Sequence, residues 1–439
     1  MKKISFQKVF CFISFLFILS CCIFYGTRFI KYYLEEKSTA SKEAHTLAKK
    51  IKDKNINSET FKQINGQDYF TDNSNNNYLW YSNILWRIIK VNSDNSITAI
   101  SESSLTSLAA GDTLKFQESY INKWLNYNEE EYTGILEKNL NQVETYLQPS
   151  TLCTDIVDTL TNEDCQNRTE NGYISLLDTK DFINAGNQNS YLVNDEQFYL
   201  SNNNSKKESW FIDEAGNVKT NDGTDILGIR PVITIKSNVK YQDGNGTKDN
   251  PYKIEKENGL FGSYVKLDNQ IWRIYQVNED DIRLVLTDYL KVNDKELTHI
   301  YSAKNSYHND ELSKTIAYYL NNTFYNTLSY KSKIKERKWT NGYYGISSNY
   351  DYKTALNKTI NTKIALISIG DIVLNQDLYN YFTLTGTKNN GQMVYAISKN
   401  KKLYGKSIQS QINVVPAISL DKTLLTKGNG TIESPYEME

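Results

Sequence analysis

A series of five sequence blocks occurs twice in this chain, and this duplication limits the folds that the chain can adopt. The blocks keep the same order in both copies, and the drifting offset between copies indicates insertions in the loops between blocks. The pairs are 85–91 (LWRIIKV) with 271–277 (IWRIYQV), 120–126 (YINKWLN) with 315–321 (TIAYYLN), 174–177 (ISLL) with 364–367 (IALI), 228–235 (GIRPVITI) with 413–420 (NVVPAISL), and Gly-Asn-Gly-Thr plus Pro-Tyr at 244–252 with 428–436. We therefore expect two related repeat domains, at 65–257 and 258–439.

The blocks combine strand and helix patterns. Residues 85–91 stay largely apolar on both alternating faces, which is typical of a strand that is covered on both sides. Residues 315–320 have helical spacing, with three apolar positions on one face. Pro231 and Pro416 predict that their β-branched runs lie at a strand start or a sheet edge. Each closing Gly-Asn-Gly-Thr indicates a turn before a short strand. This mixture favours an α+β domain with an irregular sheet.

The N-terminus has the pattern of a membrane anchor. Lysines in residues 1–8 precede an apolar run at 9–25 that is just long enough to cross a bilayer, and no small-residue cleavage site follows it. We expect a cytoplasmic segment at 1–8, a retained transmembrane signal anchor at 9–25, and a stalk helix with linker at 26–64. This arrangement predicts a single-pass membrane protein with its N-terminus inside and its body extracellular. A lipidated Cys21 in a lipobox-like sequence is the alternative, and it tethers the body equally well.

Charge and cysteine content restrict the partners and the compartment. The 439 residues include 50 Lys and Arg against 51 Asp and Glu, so no strong field favours nucleic acid as a partner. Of the five cysteines, only Cys153 and Cys165 lie outside the apolar N-terminal segment. In an oxidising compartment this local pair is expected to form a disulfide. Two unrelated free thiols are the alternative.

The blocks resemble the repeats of a family of tandem-repeat surface proteins from Gram-positive gut bacteria, which carry a domain of unknown function. Those repeats open with Leu-Trp-Arg-Ile and close on Gly-Val-Arg-Pro-Val-Ile and Gly-x-Gly-Thr-x-x-x-Pro-Tyr, and the resemblance covers residues 65–439. They are in turn similar to the sulfatase-modifying-factor fold, a C-type-lectin-like arrangement. The resemblance implies two tandem lectin-like domains at a cell surface and no particular chemistry. The second copy has Val415 where the first has Arg230, so the role of this arginine is not required in both.

No catalytic constellation stands out in the sequence. The three histidines have no metal-ligand spacing, and the acidic run at 129–131 is typical of a solvated face. Asp243, Asn245, Thr247 and Asp249 stand at every second position, as the ligands of a calcium loop do. Lys248 replaces the glycine that such a loop requires, which favours a plain turn. We therefore predict no metal, no cofactor and no catalytic residue.

Aromatic residues are the remaining candidates for ligand binding. Aromatic rings stack on sugars and fill protein hot spots, although core packing is their commoner role. The candidate ligand-binding residues are Tyr78, Trp80 and Tyr81 in the first copy and Trp339, Tyr343 and Tyr344 in the second. Structural roles are expected for Trp86, Arg87, Trp272, Arg273 and Arg230, because arginines in apolar strands usually pair with carboxylates.

The sequence thus predicts a membrane-anchored extracellular protein. Its expected role is non-enzymatic ligand binding or adhesion, with a glycan or a protein as partner. An envelope enzyme that acts on surface polymers is one alternative, and a purely structural envelope protein is another.

Overall fold

The computed structural model describes Tyr25, Arg28 and residues 46–439, except 112–115, 130–132, 161–164, 205–207, 303–306, 308–314, 341–358, 376, 388–390, 400 and 439. The predicted membrane anchor, except Tyr25, and Cys21 lie outside the described residues. Across the part of the chain that is described, no helix combines the length and the apolar character needed to cross a membrane.

The fold is α+β, as predicted, with extensive sheets and few, short helices. The α-helices are Leu47–Asn55, Tyr120–Leu125, Val143–Tyr146, Thr179–Asn184, Ile316–Tyr318 and Tyr325–Thr327, and a π-helix, Tyr319–Phe324, joins the last two. Short 3-10 turns occur at Phe116–Glu118, Asn187–Asn189, Lys331–Lys333 and Lys422–Leu424. We call residues 46–257 the first half and residues 258–438 the second half.

Each half contains a main sheet, and the strand order is the same in both. The first main sheet runs Tyr241–Asp243, Tyr252–Ile254, Tyr78–Tyr81, Ile84–Val91, Ile97–Ser101, Pro231–Ile235, Ile174–Leu176, with the hairpin Phe61–Ile64 and Gln67–Phe70 attached to Ile84–Val91. The second main sheet runs Leu425–Lys427, Tyr436–Met438, Tyr264–Leu267, Gln270–Val277, Asp281–Leu286, Pro416–Asp421, Ile364–Leu366. In both, the strand that follows the Gly-Asn-Gly-Thr turn pairs in parallel with the first strand of the half's central hairpin.

A second, smaller sheet in each half also repeats its strand order. The first side sheet runs Val218–Asn221, Ser209–Ile212, Phe198–Asn203, Leu227–Ile229, Thr106–Leu108, and the second runs Leu403–Ser407, Met393–Ile397, Tyr381–Gly386, Ile412–Asn413, Thr298–His299. The described residues also form three two-stranded ribbons: Thr151–Cys153 with Arg168–Glu170, Lys291–Val292 with Lys295–Glu296, and Arg337–Thr340 with Thr359–Thr362.

The asparagine that ends each helix block has the same role in both halves. Asn126 accepts a hydrogen bond from Ile174 N (3.0 Å) and donates one to Ile174 O (2.7 Å). Asn321 does the same with Ile364, at 2.9 and 2.8 Å. A side-chain amide can satisfy both backbone groups of one residue, so each asparagine fixes its helix to the start of the strand that edges the main sheet.

Residues 46–64, which the sequence assigns to the stalk and linker, belong to the folded body. Leu47 and Ile51 of the helix Leu47–Asn55 are fully buried, and Leu47 N donates to Val239 O. Phe61–Ile64 pairs with Gln67–Phe70. The charged residues of this segment suggested an exposed helix, but Leu47, Ala48 and Ile51 form a buried stripe at i, i+1 and i+4.

The two halves share one continuous core. Trp124 Nε1 donates to Gly370 O (2.7 Å), and Val373 N donates to Leu105 O (2.7 Å), so hydrogen bonds cross the boundary in both directions. Most of the buried apolar residues of both halves form a single cluster, and a separate, smaller cluster in the first half contains Tyr69, Ile89 and Phe198.

Cys153 and Cys165 form the predicted disulfide, which closes a loop beside the ribbon Thr151–Cys153. Asp155 also holds this loop, since it accepts from Gln166 N and Asn167 N. Asn167 Nδ2 also donates to Asp155 Oδ1 (2.7 Å), and this bond, together with those from the backbone N–H groups, holds the pKa of Asp155 below its usual range.

Replacing both cysteines by serine is expected to lower the free energy of unfolding by about 2–3 kcal/mol, because the unfolded chain regains the entropy of an open loop. Thermal unfolding of the variant and the wild type measures the difference. Reductant should lower the melting temperature of the wild type and leave that of the variant unchanged. Equal melting temperatures of oxidised and reduced wild type would contradict this prediction.

Candidate functional site

A cleft of about 490 Å³ lies between the two halves. Both halves supply its walls, and domain boundaries are a common location for ligand sites of this size. Its aromatic and charged lining consists of Trp80, Tyr264, Glu102, Glu196, Asp377, Lys248, Arg273, Lys399 and Lys401. We call it the inter-half cleft.

Trp80 is the aromatic side chain of the first half that lines this cleft. It lies on the strand Tyr78–Tyr81, where successive side chains point to opposite faces. Leu79 and Tyr81 are fully buried, whereas Trp80 is only half-buried. The indole of Trp80 therefore keeps a face that a ligand can reach.

On the strand next to that of Trp80, the buried Arg87 orients a carboxylate of the cleft. Its Nη1 donates to Glu102 Oε2 (3.3 Å) and to Tyr78 OH (3.0 Å), and its guanidinium lies 4.0 Å from the centre of the Tyr78 ring. Two further bonds, to Ser74 O and Asn77 Oδ1, hold the guanidinium in place. Arg87 therefore has the expected carboxylate partner, and this partner faces the cleft.

Arg230 interacts through its charge with a second carboxylate of the cleft, Glu196. Arg230 is fully buried and donates to two carbonyl oxygens, Ser101 O (3.0 Å) and Leu192 O (2.5 Å), rather than to a carboxylate. Burial lowers the pKa of Arg230, and the charges of Glu196 and Glu102 oppose this shift. Glu196 itself accepts from Ser104 N (2.7 Å). The charges of both glutamates of the cleft thus act on the buried guanidinium of Arg230.

Arg273 lies at the junction between the halves. Its guanidinium donates to Gly262 O, to Leu374 O and, in the first half, to Asn83 O, at 3.1, 2.7 and 2.7 Å. Burial lowers the pKa of Arg273, and the Tyr264 ring lies 5.2 Å from it. Because it donates to carbonyl oxygens of both halves, Arg273 links the two sides of the cleft.

Lys401 supplies a cation from the second half. Its backbone is left-handed (φ 57°), and its Nζ donates to Leu378 O at 3.1 Å. Burial lowers the pKa of Lys401, while the charges of Glu196 and Asp377 act in the opposite direction. The cleft therefore presents hydrogen-bond donors and acceptors beside an aromatic ring, which suits a polar ligand with a flat apolar face.

The other candidate ligand residues lie elsewhere. Trp339 is 1% exposed and donates from Nε1 to Thr362 O, so its ring is part of the core and offers no face to solvent. Tyr81 is fully buried and donates to Asn141 O. Tyr78 is buried under Arg87, and burial raises its pKa. Tyr343 and Tyr344 lie outside the described residues.

Trp86 and Trp272, to which the sequence assigns structural roles, are fully buried at equivalent positions of the two main sheets. Pro231 and Pro416 begin strands of these sheets, and both are buried. Pro231 lies opposite Leu176 and Pro416 opposite Leu366, so both prolines are inside the sheet but at a strand start.

Sequence reasoning missed Glu102, Glu196 and Lys401. Glu102 directly follows the strand Ile97–Ser101, and a charged residue after a buried strand is a usable signal. Glu196 and Lys401 lie in irregular segments far apart in sequence, and no local pattern connects them.

One group of potential metal ligands occurs among the described residues: Cys153, Asp155 and Cys165, whose ligand atoms lie within 4.8 Å of one another. Both sulfurs are bonded to each other in the disulfide, so neither is available as a thiolate. The residues present therefore do not fit a metal centre in the oxidised protein.

No protein-family model, curated protein or solved structure matches this chain.

Proposed function

We propose that this protein is a membrane-anchored extracellular protein that binds a glycan in the inter-half cleft, without catalysing a reaction. The observation that carries the proposal is the half-buried Trp80, which shares one cleft with Glu102, Glu196 and Lys401. Saccharides combine apolar C–H faces, which stack on an indole, with hydroxyls that both donate and accept hydrogen bonds.

The rigidity of the cleft supports binding. Glu102 is held by Arg87, and Arg273 joins the halves through backbone carbonyl oxygens. Polar groups that are already oriented lose little entropy when a ligand binds. A tandem lectin-like fold, which the resemblance of residues 65–439 implies, is part of the proposed function.

The extracellular location is supported by two independent features. The apolar run at 9–25 follows a lysine-containing N-terminus, as in a signal anchor. The disulfide Cys153–Cys165 is typical of proteins that face an oxidising compartment.

Replacing Trp80 by alanine is expected to weaken glycan binding at least about tenfold, because the stacking surface is lost. Full-length protein in detergent micelles is applied to a glycan array, and the affinity for each positive glycan is then measured by calorimetry. Tyr127→Ala is the matched control, because Tyr127 is an exposed aromatic residue outside the cleft. Unchanged affinity in Trp80→Ala, or an equal loss in Tyr127→Ala, would exclude the cleft as the site.

An envelope enzyme is the second candidate, and one observation favours it: Glu102 and Glu196 line the same cleft, and paired carboxylates hydrolyse glycosidic bonds. Glu102→Gln and Glu196→Gln distinguish the two functions. A binding protein should release no reducing sugar from bound oligosaccharides, whether wild type or variant. Turnover by the wild type that both substitutions abolish would establish the enzyme instead.

A further inference from the structure

A second cleft, of about 410 Å³, opens on the first main sheet and shares no lining residue with the inter-half cleft. Its floor is formed by Lys90, Thr98 and Thr234, which lie opposite one another on three adjacent strands. The segment 148–153 and Arg168 form one wall, and Asp178 with Asp181 forms another. We call it the sheet cleft.

The duplicated sheet allows a residue-by-residue comparison with the second half. In the first main sheet, Thr98 lies between its cross-strand neighbours Lys90 and Thr234. In the second main sheet, Arg283 lies in the same way between Gln276 and Ser419. The position of Thr98 is therefore occupied by Arg283 in the second half.

The segment over the sheet can be matched in the same way. Gln148 N donates to Thr234 O at 3.0 Å, and Lys335 N donates to Ser419 O at 3.0 Å. Both segments then enter a ribbon strand, Thr151–Cys153 or Arg337–Thr340. Counting from these anchor bonds, Leu152 corresponds to Trp339.

In the second half, the side chains of Arg283 and Trp339 occupy the space that corresponds to the sheet cleft. The Arg283 guanidinium lies 4.7 Å from the centre of the Trp339 ring, and its Nη2 donates to Lys338 O (3.0 Å). The indole of Trp339 is buried against the sheet. The first half has threonine and leucine at the same two positions, and there the cleft is open. Side-chain size at these positions therefore distinguishes the open copy from the filled one.

The lining of the sheet cleft is polar and balanced in charge. Three cations, Lys90, Arg168 and Lys180, stand against three carboxylates, Asp94, Asp178 and Asp181. Ion pairs within the walls join Lys90 to Asp181 (2.7 Å) and Arg168 to Asp178 (3.7 Å). A lining whose charges are matched internally offers no net field to a charged ligand.

Hydroxyl and amide groups complete the lining, among them Thr98, Thr234, Ser175 and Gln148. These groups donate and accept hydrogen bonds, and the volume lies within the range of about 300–1,000 Å³ that small-molecule sites occupy. We infer that the sheet cleft is a second binding site, specific to the first half, for a neutral polyhydroxylated ligand the size of a mono- or disaccharide.

The test introduces into the sheet cleft the side-chain types that occupy the equivalent space in the second half, an arginine and a tryptophan. Full-length wild type and the double variant Thr98→Arg/Leu152→Trp, both in detergent micelles, are titrated with lactose and N-acetylglucosamine, and with sialyllactose as an anionic comparison. We expect the wild type to bind at least one neutral sugar with a Kd of about 1 mM or tighter. The double variant should bind it at least tenfold more weakly, and sialyllactose should bind more weakly than lactose.

Controls separate this site from the inter-half cleft. Trp80→Ala should retain the binding that Thr98→Arg/Leu152→Trp loses, so failure of one site leaves the other testable. If the double variant does not fold, Thr98→Val/Thr234→Val removes two floor hydroxyls at nearly constant volume and should show the same tenfold loss. Absence of neutral-sugar binding by Trp80→Ala, or binding by Trp80→Ala that survives the addition of either pair of sheet-cleft substitutions, would overturn the inference.

Discussion

Replacing Trp124 by alanine is expected to lower the free energy of unfolding by about 3–5 kcal/mol. Trp124 is fully buried in the helix Tyr120–Leu125, and its Nε1 donates to Gly370 O in the second half at 2.7 Å. The substitution therefore creates a large cavity and leaves a carbonyl oxygen between the halves without this donor. Denaturant unfolding followed by circular dichroism measures the change.

Two control variants divide this effect into its parts. Trp124→Phe keeps most of the buried ring and removes the hydrogen bond, so it should cost roughly 1 kcal/mol plus a smaller packing term. Tyr319→Ala changes the matching residue of the second helix block, which is only partly buried, and should cost clearly less than Trp124→Ala. A cost below about 1 kcal/mol for Trp124→Ala would mean that the halves do not depend on this contact.

The strand blocks could be predicted from the sequence because their information is local. Residues 85–91 and 271–277 are largely apolar, and the strands observed there are Ile84–Val91 and Gln270–Val277. In the sequence, Asn126 and Asn321 are recognisable only as the same residue type at the end of both helix blocks. Their meaning, a paired hydrogen bond to the next strand block, depends on contacts between residues more than forty positions apart.

Trp339 shows why ligand residues were harder to predict than strands. The sequence WTNGYYG has the glycine and polar residues of an exposed loop, but Trp339 lies in the strand Arg337–Thr340. Its ribbon partner, Thr359–Thr362, follows only after a long intervening segment, so local pattern could not reveal the pairing. The buried carbonyl that accepts from its indole belongs to that distant strand.

The clefts themselves could not be predicted, because each is built from several separate segments. The inter-half cleft unites Trp80, Glu196 and Lys401, and the sheet cleft unites Lys90, Gln148 and Asp181. The duplicated blocks do contain a partial signal. Lys90 corresponds to Gln276, and such a divergence within an otherwise repeated strand marks a position where the halves differ in role.

Replacing Asp181 by alanine is expected to cost about 1–3 kcal/mol of stability, because the largely buried amine of Lys90 loses its direct carboxylate partner and keeps only its charge interaction with Asp178. The side chains of Lys90 and Asp181 are 14% and 9% exposed, and Tyr69 OH donates to the same Asp181 oxygen as Lys90. The additional substitution Lys90→Met removes the unpaired charge, so the double variant should be more stable than Asp181→Ala alone. A double-mutant cycle in denaturant measures the coupling.

The pH dependence of this cost tests its electrostatic origin. Burial alone would raise the pKa of Asp181, but the charge and hydrogen bond of Lys90 and the hydrogen bond of Tyr69 hold it below its usual value. A carboxyl whose pKa is lower in the folded state stabilises the protein above its unfolded pKa of about 3.9, and this contribution is lost as the pH falls through the folded value. Nearby Asp178 acts in the opposite direction, since burial and the charge of Asp181 raise its pKa. The stability difference between wild type and Asp181→Ala should therefore be largest near neutral pH and shrink below about pH 4. A difference that stays constant with pH would assign the cost to lost packing rather than to the ion pair.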